Sequence, residues 1–137
     1  MSTVVKPELS LKSRYWIPRH RYYELKHFCM QYPDWKRERA ALNELGGTRV
    51  PALKKKTNES DPTAACAIRR AFYSERIAML ERIAERTDPG LSRYILKGVT
   101  EGLSYDSLRA QIGVPCGKEA YYDSYRRFFW LLDRARQ

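Results

Sequence analysis

From Arg19 onward, apolar side chains recur at three- and four-residue steps: Tyr22, Leu25, Phe28 or Cys29, then Tyr32. That spacing predicts an amphipathic helix with one buried face. Pro33 interrupts it, while Trp35, Leu42 and Leu45 carry the apolar face on to Gly46 and Gly47, so a kinked helix or helical hairpin is expected over 19–46. Residues 47–60 are rich in glycine, proline and small polar residues around Lys54, Lys55 and Lys56, which reads as a mobile linker. Asp61 followed by Pro62 is a helix-start signal, because the carboxylate accepts orphan backbone N–H groups and proline lacks the donor the first turn cannot use. The helix it opens should reach about Arg86. Its stripe of Ile68, Phe72, Met79 and Ile83, widened by Ile77 and Leu80, predicts a place at the centre of the core.

Asp88 and Pro89 repeat the start signal, and Leu91, Tyr94, Ile95 and Val99 form the next face, closed by Gly102. Ser104 is an N-cap candidate for a short helix carrying Leu108 and Ile112, which Gly113 should end. After the turn at Val114–Gly117, one long helix is predicted from Lys118 to Arg136. No segment alternates with a period of two, and there is no internal repeat. The predicted fold is all-α, a compact helical domain of about five helices in all: a basic irregular arm at 1–18, the helical segment at 19–46, the linker at 47–60 and a helical domain at 61–137 with a helix-turn-helix at 104–136.

Charge adds to this picture. The chain has 137 residues with 26 Lys plus Arg against 16 Asp plus Glu, a net charge of +10. Residues 1–60 hold 13 basic and 6 acidic side chains, so most of the surplus lies in the front half. Such a balance suits a polyanionic partner. No stretch approaches the roughly 20 apolar residues of a membrane span, and the first residues lack the apolar centre of a secretory signal, so a cytoplasmic protein with no membrane partner is expected. Cys29, Cys66 and Cys116 are odd in number and stand in no metal-ligand spacing; they read as small core residues. His20 and His27, seven apart, lack acidic or cysteine partners in register. With no phosphate-cradling glycine loop and no nucleophile elbow, neither catalysis nor a cofactor or metal is expected. Glu81 and Glu85 stand four apart on a helix that also carries Arg82 and Arg86, the pattern of a solvated face.

The final helix is crowded with rings. Tyr121, Tyr125, Phe128 and Leu132, flanked by Tyr122 and Phe129, predict one stripe buried against the central helix. Short helix, glycine-centred turn and longer helix form the outline in which a second helix enters the major groove, with Leu108, Ile112 and Val114 as the packing residues. The stretch "YDSLRAQIGVPCGKEAYYDSYRR" resembles the region-four helix-turn-helix of sigma factors. It is more specifically similar to the C-terminal segment of RinA- and ArpU-type late-gene activators from phages and prophages of Gram-positive bacteria. "YYELKHFCMQYPDWK" also resembles small prophage-encoded proteins. The resemblance implies binding of double-stranded DNA by a transcriptional regulator in the bacterial host cell. Its outward candidates are Gly117, Lys118, Glu119 and Tyr122 at the start of the reading helix, and Arg126 and Arg127 further along, with Arg109 on the helix before.

A second basic stretch, "KSRYWIPRHRYYELK", interleaves Arg14, Arg19 and Arg21 with Tyr15, Trp16, Tyr22 and Tyr23. Rings beside cations suit unpaired bases and their backbone. The plainer alternative is that Trp16 and Tyr23 pin the arm to the helical core. Lys54, Lys55 and Lys56 either touch phosphate or solvate a loop. Two further readings stand beside the regulator: an inhibitor of anti-CRISPR type that docks on a host machine such as RNA polymerase or a CRISPR effector nuclease, and a DNA-packaging protein resembling a terminase small subunit. The sequence names neither the site recognised nor the oligomeric state.

Overall fold

The computed structural model describes residues 14–47 and 61–137, and for 45–47 the backbone alone. These form six α-helices, with no strand among the described residues: α1 Arg19–Cys29, α2 Tyr32–Gly47, α3 Pro62–Thr87, α4 Ser92–Glu101, α5 Tyr105–Ile112 and α6 Lys118–Ala135. The all-α expectation holds. The residues before Arg14 and those at 48–60, which include most of the expected arm and linker, lie outside the described residues.

Helix ends follow local chemistry, with two departures from expectation. Thr63 N–H donates to Asp61 Oδ1 at 3.0 Å, the cap expected for α3. Ser104 accepts from Ser107 N–H at 3.1 Å and caps α5. Gly102 closes α4 with φ +67°, and Leu103 N–H reaches back to Gly98 O at 2.9 Å, a closure that a residue with a side chain rarely permits. Asp88, by contrast, does not open a helix directly. Its carboxylate accepts from Gly90 N–H at 2.9 Å and its carbonyl from Leu91 N–H at 3.0 Å, which makes a turn, and α4 starts only at Ser92. The second departure lies between α1 and α2. The break falls at Met30 and Gln31, ahead of Pro33, which sits in the first turn of α2 where its missing N–H breaks no hydrogen bond.

The chain divides into two compact units, Met1–Gln31 with Leu80–Gln137, and Tyr32–Met79. In the first, α6 packs on α1, α4 and α5, and α4 also packs on α1 and α5. Its fully buried side chains include Leu25, Leu80, Ile95, Leu108, Tyr121, Phe128, Phe129 and Leu132. The aromatic stripe of α6 is thus buried as expected, but among α1, α4 and α5. In the second unit, Tyr32, Trp35 and Leu42 are the buried positions of α2, and Arg39 donates to Ser74 Oγ of α3 at 3.4 Å.

α3 is not central along its whole length. Ile68 and Phe72 are 68% and 46% exposed, and the buried positions run from Ile77 through Leu80, Ile83 and Ala84. A helix of 26 residues is about 39 Å long, and this one is divided between the two units, its last turns from Leu80 onward belonging to the first.

Candidate nucleic-acid interface

The α5–α6 pair is joined by a five-residue turn, 113–117, between Ile112 and Lys118. Gly113 has φ +72°, the left-handed side that lets the chain reverse so soon after α5. Two tyrosines then tie the helices together crosswise. Tyr105, the first residue of α5, donates its hydroxyl to Cys116 O in the turn at 2.6 Å. Its backbone N–H donates to the Tyr122 hydroxyl on α6 at 3.0 Å. Each bond satisfies a backbone group that a short helix or a tight turn would otherwise leave unpaired. Leu108 is fully buried beneath them, and Lys118 meets Asp106 at 3.2 Å on the exposed side.

Behind this pair the rings of α6 run into the core. Tyr105 and Tyr121 have centroids 5.6 Å apart, Tyr125 and Phe129 5.0 Å, and Tyr22 of α1 meets Phe129 edge-on at 5.1 Å. The Tyr22 and Tyr125 hydroxyls lie 2.7 Å apart in a buried hydrogen bond. Burial pushes the Tyr125 hydroxyl well above the ordinary tyrosine range, helped by Tyr22 beside it. Burial likewise raises Tyr121, whose hydroxyl has no hydrogen-bond partner among the described residues and lies against Gly98 of α4. A methyl group on Gly98 would run into that hydroxyl.

The predicted site residues separate into four groups. Arg109 on α5 and Arg127 on α6 are exposed, Arg126 is half-buried, and Lys118 is half-buried and shared with Asp106. Glu119 and Asp123 are exposed on the first two turns of α6. Tyr122 is corrected: it is buried, and its hydroxyl is occupied by Tyr105 N–H, so it belongs to the joint and not to the outer face. The expected packing trio is corrected too. Leu108 serves, Val114 is half-buried and Ile112 is 37% exposed, because Tyr105 and Tyr122 fill the joint instead.

Among the front-half candidates, Arg14 and Arg19 are exposed. Arg21 is not turned to a ligand: its Nε donates to Asp133 Oδ1 at 2.6 Å, with further bonds to Glu24 and to Arg136 O, tying α1 to the end of α6. That bond to Asp133 raises the Arg21 pKa further. Lys54, Lys55 and Lys56 lie outside the described residues. In the described end of the arm, 14–18, the buried residues are other than those expected: Tyr15 and Ile17 are buried, whereas Trp16 is 40% exposed and Tyr23 half-buried.

Sequence reasoning missed Tyr105, whose signal is only its place one residue after the Ser104 cap, and also Trp130 and Arg134. The last two are legible as an aromatic–cation pair four apart on one helix, and the Arg134 guanidinium lies 3.9 Å from the Trp130 ring centroid. Cys29 is fully buried, and burial pushes its thiol far up; Cys66 and Cys116 are half-buried, and burial raises Cys116 as well. Among the described residues no three His, Cys, Asp or Glu side chains gather as a metal site, and no helix is long and apolar enough to cross a membrane. Comparison with protein-family models, curated proteins and solved structures found no match.

Proposed function

We propose that the protein binds double-stranded DNA through α5 and α6, with α6 laid in the major groove, and regulates transcription from phage or prophage DNA in a bacterial host. The observation that carries this reading is the Tyr105–Tyr122–Cys116 joint. A reading helix needs a fixed angle to the helix before it, and these bonds supply one while leaving Arg109 and Arg127 exposed on the outside. Phosphate contacts from such arginines position the protein, and base edges specify the sequence. The net charge of +10 and the resemblance to late-gene activators support the same reading. Replacing Arg126 and Arg127 together with alanine should weaken binding to a duplex and flatten the plot of log affinity against log salt by about 1.8, two phosphate contacts' worth. An unchanged salt plot would remove α6 from the interface.

One observation favours a second reading. Glu119 and Asp123 place two carboxylates on the outer face of α6, where phosphate would be repelled and a basic protein groove attracted. On this reading the protein is an inhibitor of a host nucleic-acid enzyme such as a CRISPR effector nuclease or RNA polymerase. Glu119→Gln with Asp123→Asn separates the two: duplex affinity should rise for the regulator, whereas the enzyme complex should weaken for the inhibitor.

A further inference from the structure

The chain just before α1 and the C-terminal half of α6 share a row of alternating cations and rings. The Arg14 guanidinium lies 4.9 Å from the Tyr15 ring centroid, Tyr15 meets Trp130 at 5.7 Å, and Arg134 lies 3.9 Å from the other ring of the row, Trp130. The row therefore begins and ends on an exposed arginine. Neither Arg14 nor Arg134 makes an ion pair with another described residue. The acidic side chain of this part of α6, Asp133, is already taken by Arg21 at 2.6 Å. Trp16 follows Tyr15 in the chain and is 40% exposed, whereas Tyr15 and Ile17 on either side of it are buried.

We infer that this face binds single-stranded nucleic acid, with Trp16 as the platform on which an unpaired base stacks and Arg14 and Arg134 as contacts to the flanking phosphates. Charge selects a polyanion, and the ring selects among polyanions. An indole open to solvent gains by stacking on a base whose face is free, which a duplex does not offer along its length. The rings beneath hold the arginines in place, so less side-chain freedom is lost on binding. The surface is separate from the α5–α6 joint and stands whether or not that joint serves duplex DNA.

The test uses the full chain and fluorescence anisotropy with a labelled oligo-dT of about 15 nucleotides, the upper range of single-strand sites, beside a hairpin duplex. Trp16→Ala should weaken oligo-dT binding about ten-fold and leave duplex affinity within about two-fold, and Trp16→Phe should restore most of the loss. Arg14→Ala with Arg134→Ala should lower the oligo-dT salt slope by about 1.4. Circular-dichroism melting checks that each variant is folded, and the arginine pair carries the test if Trp16→Ala is not. The inference is overturned if Trp16→Ala leaves oligo-dT affinity unchanged, if it weakens strand and duplex alike, or if an oligoglutamate of equal charge displaces oligo-dT as well as unlabelled strand does.

Discussion

Among the described residues α3 and α6 are the two longest helices, with 26 and 18 residues, and both carry aromatic and aliphatic side chains at helical spacing. In α6 the stripe of Tyr121, Tyr125, Phe128 and Leu132 is buried throughout, because α1, α4 and α5 all pack on it. In the first half of α3, Ile68 and Phe72 face solvent, and the Phe72 ring is partly covered by the Arg76 guanidinium at 3.9 Å and by the edge of Tyr73. A period of 3.6 marks a face that can be buried. Whether it is buried depends on which other elements reach it, and that information is spread over the whole chain.

The comparison is broken most directly by cutting the same side chain in both helices. Phe128→Ala should cost about 3–5 kcal/mol, measured by denaturant unfolding, because a fully buried ring leaves a cavity. Next, Gly98→Ala should cost about 1–3 kcal/mol, since the new methyl meets the Tyr121 hydroxyl inside a close-packed helix contact. Tyr122→Phe should follow at about 1–3 kcal/mol, because it strands the buried Tyr105 N–H; nuclear magnetic resonance should show that amide shifted and exchanging faster.

A pH scan sharpens the contrast further. Tyr121 and Tyr125 titrate higher in the folded chain than in the unfolded one, where tyrosine ionises near 10.0, so both must lose stabilising free energy as the solution becomes alkaline. Their contribution is intact below pH 10 and should fall by about 1.4 kcal/mol per pH unit and per tyrosine above it, read as a dropping Tm. Smallest of all, Phe72→Ala should stay within about 0.5 kcal/mol. Equal losses at 72 and 128 would show that α3 and α6 are buried alike and that the contrast is false.

Much of the fold was legible where chemistry is local. Asp61, Ser104 and Gly102 each mark a helix end by a bond or a backbone angle that one residue determines, and each end falls where those residues predict. Asp88 misled because the same carboxylate that caps a helix also closes a turn, and Gly90 two residues later favours the turn. Pro33 misled for a related reason, since proline suits a first helical turn as well as an interruption. For the candidate site, Arg109 and Arg127 were legible as exposed cations. Tyr122 was not: its burial depends on Tyr105, seventeen residues away, offering a backbone N–H that no periodicity in α6 can report. Arg21 was misread on the same ground, its partner Asp133 lying 112 residues further on.

The place where Gly98 and Tyr121 meet gives the chain a shared allowance of volume. The phenol oxygen occupies the space that a β-carbon on α4 would need, and it does so without a hydrogen bond from any described residue. Size added on one helix can therefore be taken off the other. A Gly98→Ala, Tyr121→Phe double variant should be more stable than the sum of its single changes allows, so the two positions form one exchangeable unit.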